Sequence, residues 1–298
     1  VWIRLQLEES PAFRKLQAEG RTSKRAYAES FFEWRNLKIV LLALLGIMMA
    51  QGVVWYTGFF YTQFYLERTL KIDSQTVNVL QIAVVFLSAP LYVFFAHLSD
   101  KIGRKPVLLL GMVATLALYF PGFQLITSAG NPALAQASAA SPVTVIADPA
   151  DCTFQLDLTG GARQFSTSCD IAKGALASAG VSYTSETGPP GAPARIKVGG
   201  QELESVSAIG QSFSEIRATR AAFDGRLREV LGAAGYPAAA PGPMQGWSVS
   251  EIVRVFSEKF GVFAVMLLFA IAATALYGPQ AATLVELFPT RIRYTALS

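Results

Sequence analysis

The 298-residue chain has one histidine, two cysteines and only 15% charged residues. An ordinary soluble domain is about 25% charged, so much of this chain is built to avoid water. The single histidine, His97, lies in an apolar region. The long polar stretch near the middle therefore has no imidazole for a Ser-His-Asp or Cys-His arrangement. That stretch also lacks a glycine-rich phosphate loop and a cluster of metal-ligating residues. These absences lead to the expectation of a protein that is not an enzyme and uses neither cofactor nor metal.

The missing charge is concentrated in four places. Ile39 to Leu66, Ser74 to Ser99, Val107 to Ala147 and Phe260 to Val285 contain no Asp, Glu, Lys or Arg. A helix crosses a bilayer core with about 20 apolar residues, and each stretch is long enough. Lys and Arg collect on the cytoplasmic side of such spans. The opening segment up to Lys38, the turn with Lys101, Arg104 and Lys105, and the end with Arg291 and Arg293 therefore belong inside. The segment from Gly130 to Glu258 has 9 basic and 12 acidic residues and belongs outside, while the rest of the chain has 16 and 9. The overall charge of +4 thus reflects sidedness, not nucleic-acid binding. Val1 without a methionine, and Ser298 at what reads as the entry to a further span, suggest more spans before and after.

Ser10 followed by Pro11 starts a helix that Gly20 would stop. Ser23 to Arg35 mixes cations with Tyr27, Phe31, Phe32 and Trp34, which suits either a helix on the inner leaflet or a solvated linker. The first span, about Leu37 to Leu66, would be about 45 Å long as a straight helix, so a tilt or a break is expected near Gly46, Gly52 or Gly58. Its outer half places Gln51, Trp55 and Thr62 close to one face and Tyr56 and Gln63 on the next. Polar groups at that depth either line a substrate cavity or belong to an aromatic belt at the interface. Pro90 in the second span and Gly278 with Pro279 in the fourth are helix breakers, and Tyr277 and Gln280 beside the latter are further cavity candidates. His97 reads as an interfacial histidine, with a proton relay as the alternative.

Leu98 to Pro106, LSDKIGRKP, joins two spans on the inner side. Gly103 supplies the turn, Lys101, Arg104 and Lys105 hold it in the cytoplasm, and Asp100 can accept from a neighbouring helix. This loop resembles the signature of the major facilitator superfamily after its second and eighth spans, with Ala96 where that family usually has glycine. RLQLEESPAF, WYTGFFYTQFYL and YGPQAATLVELFPTRIRYTALS are similar to the region after span six, to span seven and to spans ten to eleven of its metabolite:proton symporter branch. The resemblance implies an α-helical membrane protein: a partial major-facilitator bundle of about four transmembrane helices plus a small α/β (α+β) soluble insert. Residues 1–36 would be the cytoplasmic linker after span six, and 37–128 spans seven to nine. Residues 129–258 would form a periplasmic inserted domain, and 259–298 span ten with the loop into span eleven.

The same resemblance implies alternating-access uptake of an organic acid, betaine or related osmolyte with protons, in a bacterial inner membrane. The partners would be the small-molecule substrate, protons, the lipid bilayer and the missing spans of the same polypeptide, with no nucleic acid. Asp100 and Arg104, with Gly103 and Lys105 in the same loop, would lock the inner gate against a cytoplasmic cluster of Glu286, Arg291 and Arg293. The alternative is that these charges only anchor loops to the membrane surface. No ionisable residue lies within the uncharged spans, so the proton carrier would sit elsewhere.

The insert of roughly 130 residues is large enough for its own domain. Cys152 and Cys169 fall within it and would form a disulfide in an oxidising compartment. Asp170 to Ala179 reads as a short helix capped by Asp170, and ARIKVGGQELESV as a hairpin turning at Gly199 and Gly200. Phe213, Ile216, Phe223, Leu227, Val230 and Leu231 mark one face of a longer helix. A substrate-capture cap, an interaction domain for a periplasmic partner, and a tolerated insertion are all open. The whole-protein alternative is a membrane-anchored sensor or binding protein whose insert recognises a ligand.

Overall fold

The computed structural model describes residues 18, 26–153 and 165–288. The expected helix from Ser10 to Gly20 lies outside these residues except for Ala18. α1 spans Ala26–Phe31. The buried Asn36 side chain donates to the Glu29 carbonyl at 2.9 Å and to Glu33 Oε2 at 3.2 Å, fixing the start of the next helix.

Among the described residues, four helices are long and apolar enough to cross a membrane: α2 (Trp34–Thr69), α3 (Ser74–Ile102), α4 (Arg104–Gly130) and a fourth over Phe260–Leu287. They fall on the four uncharged stretches; the first extends beyond both ends of its stretch and the second and fourth beyond the C-terminal end, whereas the third begins at Arg104 and ends at Gly130, well short of Ala147. Instead of a break, the long first span carries π-helical turns at Ala43–Met48, Tyr56–Tyr61 and Tyr65–Thr69. Gly46 and Gly58 lie in two of them, whereas Gly52 sits in regular helix. Below the second wide turn the Val54 carbonyl accepts a 2.6 Å hydrogen bond from the Tyr119 hydroxyl of α4, so a side chain satisfies backbone where the ladder changes register.

Pro90 stays within continuous helix, as does Pro121 of α4. The fourth span does break at Gly278 and Pro279, into α9 (Phe260–Tyr277) and α10 (Gln280–Leu287).

The chain divides into two compact units. One comprises Val1–Phe60, Val84–Phe120 and Met266–Ser298; the other comprises Tyr61–Ala83 and Pro121–Val265. In the first unit, Val54, Leu108, Ala273 and Leu276 form a buried core with Phe59 and Met112 against it. Gly278 meets the second span so closely that a methyl there would lie 2.9 Å from the Ala96 amide nitrogen and from the Tyr92 carbonyl oxygen.

The second unit contains the insert. α5 (Pro132–Ala140) follows directly on α4, capped by the Asn131 side chain, which accepts from the Leu134 amide. A four-stranded sheet follows, in the order β2-β1-β3-β4: β1 (Val143–Ala147), β2 (Tyr183–Thr187), β3 (Arg195–Val198) and β4 (Gln201–Glu204). β1 pairs parallel with β2 across α6 (Ser168–Ala179), and β3 and β4 form the expected hairpin. Val143, Val145, Ile196 and Val198 bury one face of the sheet.

Two details differ from expectation. α6 begins one turn earlier, capped by Thr167, whose hydroxyl accepts from the Asp170 amide, so Asp170 is in the first turn and not at the cap. In α7 (Phe213–Ala233), Ile216, Phe223, Leu227 and Leu231 are buried, but Phe213 is exposed because it precedes the packed face. Glu215 accepts from both the amide and the hydroxyl of Ser212, closing the helix start. α8 (Val249–Glu258) then leads into the fourth span.

Cys152 and Cys169 form a disulfide with Cα atoms 5.1 Å apart. Their neighbours clasp each other reciprocally. Asp151 Oδ2 accepts from the Ser168 hydroxyl and the Cys169 amide, while Asp170 accepts from the Thr153 amide and hydroxyl.

Candidate functional site

The first unit gathers polar and aromatic side chains from three spans. Gln51 and Trp55 sit one helical turn apart on α2. Tyr92 contributes from α3. The Tyr92 ring meets Tyr277 edge-on, with centroids 6.2 Å apart. The Tyr277 hydroxyl approaches Gln51, yet Gln51 Oε1 is enclosed and accepts no hydrogen bond. A buried amide oxygen without a donor costs about 1–3 kcal/mol, which a ligand donor or a water would recover. Gln280, also buried, directs its Nε2 at Met48 Sδ, 3.3 Å away, a weak acceptor.

The remaining cavity candidates are placed differently. Tyr56 is exposed, stacked on Phe60 with its edge on Trp55. Thr62 is fully buried and belongs to the second unit. His97 is exposed at the end of α3. Sequence reasoning missed Tyr92, since an aromatic in an uncharged span has no periodic signature; its position two residues after Pro90 was the one local cue.

The inner turn carries the charges. Gly103, at φ 95°, separates α3 from α4 in the left-handed conformation that favours glycine. Arg104 opens α4 and holds two carboxylates: Glu286 Oε1 at 2.8 Å and Asp100 Oδ1 at 3.6 Å. Lys105 is exposed beside it. Arg291 and Arg293 lie outside the described residues. One guanidinium thus ties the loop between the second and third spans to the end of the fourth. Such a planar fork suits two carboxylates better than an ammonium would.

Comparison with known proteins agrees with this layout. Residues 4–147 match the family of sugar (and other) transporters. The chain is 32% identical over 138 residues to a glycine betaine/proline/ectoine/pipecolic acid transporter of Dickeya dadantii, a match that covers 43% of this chain and 27% of that protein. It is 30% identical over 140 residues to a proline/betaine transporter of Escherichia coli K12, with the same coverage, and 29% over 138 residues to that of Salmonella typhimurium. The chain therefore spans about a quarter of the length of these relatives. No solved structure matches it. Over residues 4–147 the chain is thus similar to transporters of the sugar (and other) transporter family, in line with the major-facilitator resemblance of its inner loop.

Proposed function

We propose that the chain supplies spans seven to ten of a secondary active transporter for a small metabolite of the organic-acid, betaine or related osmolyte class. Transport is by proton symport and alternating access, in a bacterial inner membrane with the insert on the periplasmic side. The names of the relatives support the substrate class. The distribution of cations along the sequence supports the orientation. Gln51, Trp55, Tyr56, Thr62, Tyr277 and Gln280 are proposed to serve the substrate, and Asp100, Gly103, Arg104, Lys105, Glu286, Arg291 and Arg293 the inner gate.

The observation that carries this reading is the double contact of Arg104. An ion pair this exposed adds only about 0–1 kcal/mol to static stability. Its weight comes from being closed in one orientation and broken in the other, because only a difference between states shifts their populations. The test is uptake of radiolabelled glycine betaine and proline by the full-length protein in proteoliposomes, with and without an imposed proton gradient. Arg104→Glu and Glu286→Arg should each lower the initial rate about three- to tenfold, and the double reversal should regain most of it. Unchanged rates in both single variants would reduce the charges to surface anchors. Uptake indifferent to the proton gradient would remove proton coupling.

A further inference from the structure

The insert's unit encloses a cavity of about 380 Å³, within the size range of small-molecule sites. None of the residues lining it is among those assigned above to substrate and gate. Its walls come from the link after the first span, from α5, α6 and α7, and from the turn that follows α7. Lys71 and Arg228 line it together with Pro237 and Ala238, the accessible apolar groups, while Leu134, Leu227 and Leu231 at its edge are almost wholly buried.

The sequence builds this place at some cost. Lys71 holds φ 58°, a left-handed conformation that favours glycine and strains a residue with a side chain. Two contacts keep it there: its carbonyl accepts from the Ala240 amide at 3.2 Å, and its ammonium donates to the Ser178 carbonyl at 2.9 Å. Gly180 ends α6 against the same link, where a methyl would lie 2.5 Å from the Thr69 carbonyl oxygen. The link is thereby pressed onto the insert, and Lys71 is carried to the cavity.

The charges are not balanced. Burial, then Arg68 and Arg228, push the Lys71 ammonium below its ordinary range. Among the described residues neither Lys71 nor Arg228 has an ion pair within 4 Å, and the one carboxylate on the cavity wall, Asp224, is pushed up by burial, partly offset by the attraction of Arg228 and Arg220. Three cations thus crowd together, two of them on the cavity wall with a single acid, although the insert as a whole is net acidic. An anion would relieve that repulsion, and the Pro237 and Ala238 side would take an apolar body attached to it.

We propose that this cavity binds a small organic carboxylate, its carboxyl group held by Lys71 and Arg228 and its apolar part lying on Pro237 and Ala238. The site belongs to the extramembrane domain and does not depend on the transport reading, which concerns other residues.

The test is isothermal titration calorimetry on the full-length protein in lipid nanodiscs, with isovalerate as the probe. Isovaleramide, which has the same shape without the charge, and inorganic phosphate serve as controls. Isovalerate should bind and isovaleramide should not. Lys71→Gln and Arg228→Gln should each weaken binding about tenfold, the effect of losing one charged contact. Asp224→Asn, which removes the only acid on the wall, should strengthen binding several-fold, a gain that misfolding cannot mimic. The proposal is overturned by absent isovalerate binding, by equal binding of isovaleramide, by phosphate binding as tightly as isovalerate, or by unaltered affinity in both cation variants.

Discussion

Single residues decide how closely the spans approach. Gly278 faces the backbone at Tyr92 and Ala96, and its contact distances leave no room for a methyl. Gly278→Ala should therefore cost about 1–3 kcal/mol and lower the thermal midpoint of the solubilised protein. Gly46→Ala, at a glycine with open space around it, is the matched control and should leave the midpoint nearly unchanged. Ala96 and Gly278 were both visible in the sequence, the first as a small residue in a signature motif and the second as a helix breaker. That they meet was not visible, because one sequence shows which residues are small but not which ones touch. Gln51 has the same limit. Its polarity at membrane depth marked it for a cavity, but its missing donor could be seen only in three dimensions. Gln51→Leu should leave the protein folded, remove a buried unpaired oxygen and reduce substrate affinity about tenfold in uptake assays if the amide binds substrate.

At the scale of elements, the four spans were legible because a charge-free run of that length is hard to accommodate outside hydrocarbon. The β3–β4 hairpin was legible because two glycines mark its turn. β1, β2 and α5 were not read. Val143–Ala147 alternates in burial but is a run of only five residues beside an alanine-rich segment, and Tyr183–Thr187 is almost wholly exposed and does not alternate. Parallel pairing between strands separated by a helix also leaves no local trace.

α8 shows an unusually clean division of faces. Glu251, Arg254 and Glu258 pair along one side, while Val249 and Val253 are 78% and 62% exposed and Trp247, just before the helix, is 60% exposed. Adjoining a membrane span, this apolar side should lie in the outer interface of the bilayer. Trp247 fluorescence, read as the difference between wild type and Trp247→Phe, should then be quenched by lipids brominated near the headgroup more strongly than by lipids brominated at the chain end.

The insert's acid sensitivity also belongs to its elements. The carboxyl groups of Asp148, Glu215 and Glu251 are all held below their ordinary range: Asp148 by the Gly191 and Ala150 amides, Glu215 by Ser212, and Glu251 by Arg254 and the Gln245 amide. A depressed carboxylate binds its proton more weakly in the folded state than in the unfolded state. Its stabilisation is fully present above the unfolded value, 4.5 for glutamate, and is lost as pH falls through the lower folded value. Melting of the insert, followed by circular dichroism of the full-length protein, should hold steady from neutral pH to about 5 and decline below about 4.5.

For the whole molecule, the bond between Cys152 and Cys169 closes a loop of 17 residues and should contribute about 3 kcal/mol on the chain-entropy model. Cys152→Ser with Cys169→Ser should therefore lower the melting temperature of the insert. Deleting Ala133 to Ser248 with a short linker asks more, because the insert is fastened to its flanking segments: the Asn131 side chain donates to the Leu70 carbonyl, and Asp73 accepts from the Met244 amide. If the insert captures substrate, the deletion raises the half-saturating concentration for uptake; unchanged kinetics would exclude that role.

Lys259 stands at the top of the fourth span, 5% exposed, and its ammonium donates to the carbonyl of Gly130, the last residue of α4, at 3.0 Å. Burial, partly offset by Glu258 and Asp73, draws its proton affinity below the ordinary lysine range. Separating these two helix ends would strand a charged group and a carbonyl together, a loss of about 1–3 kcal/mol. The ends of the third and fourth spans beside the insert are thus riveted to each other, and in any rearrangement of the spans they should swing as one leaf, leaving an opening on that side to form along a different seam.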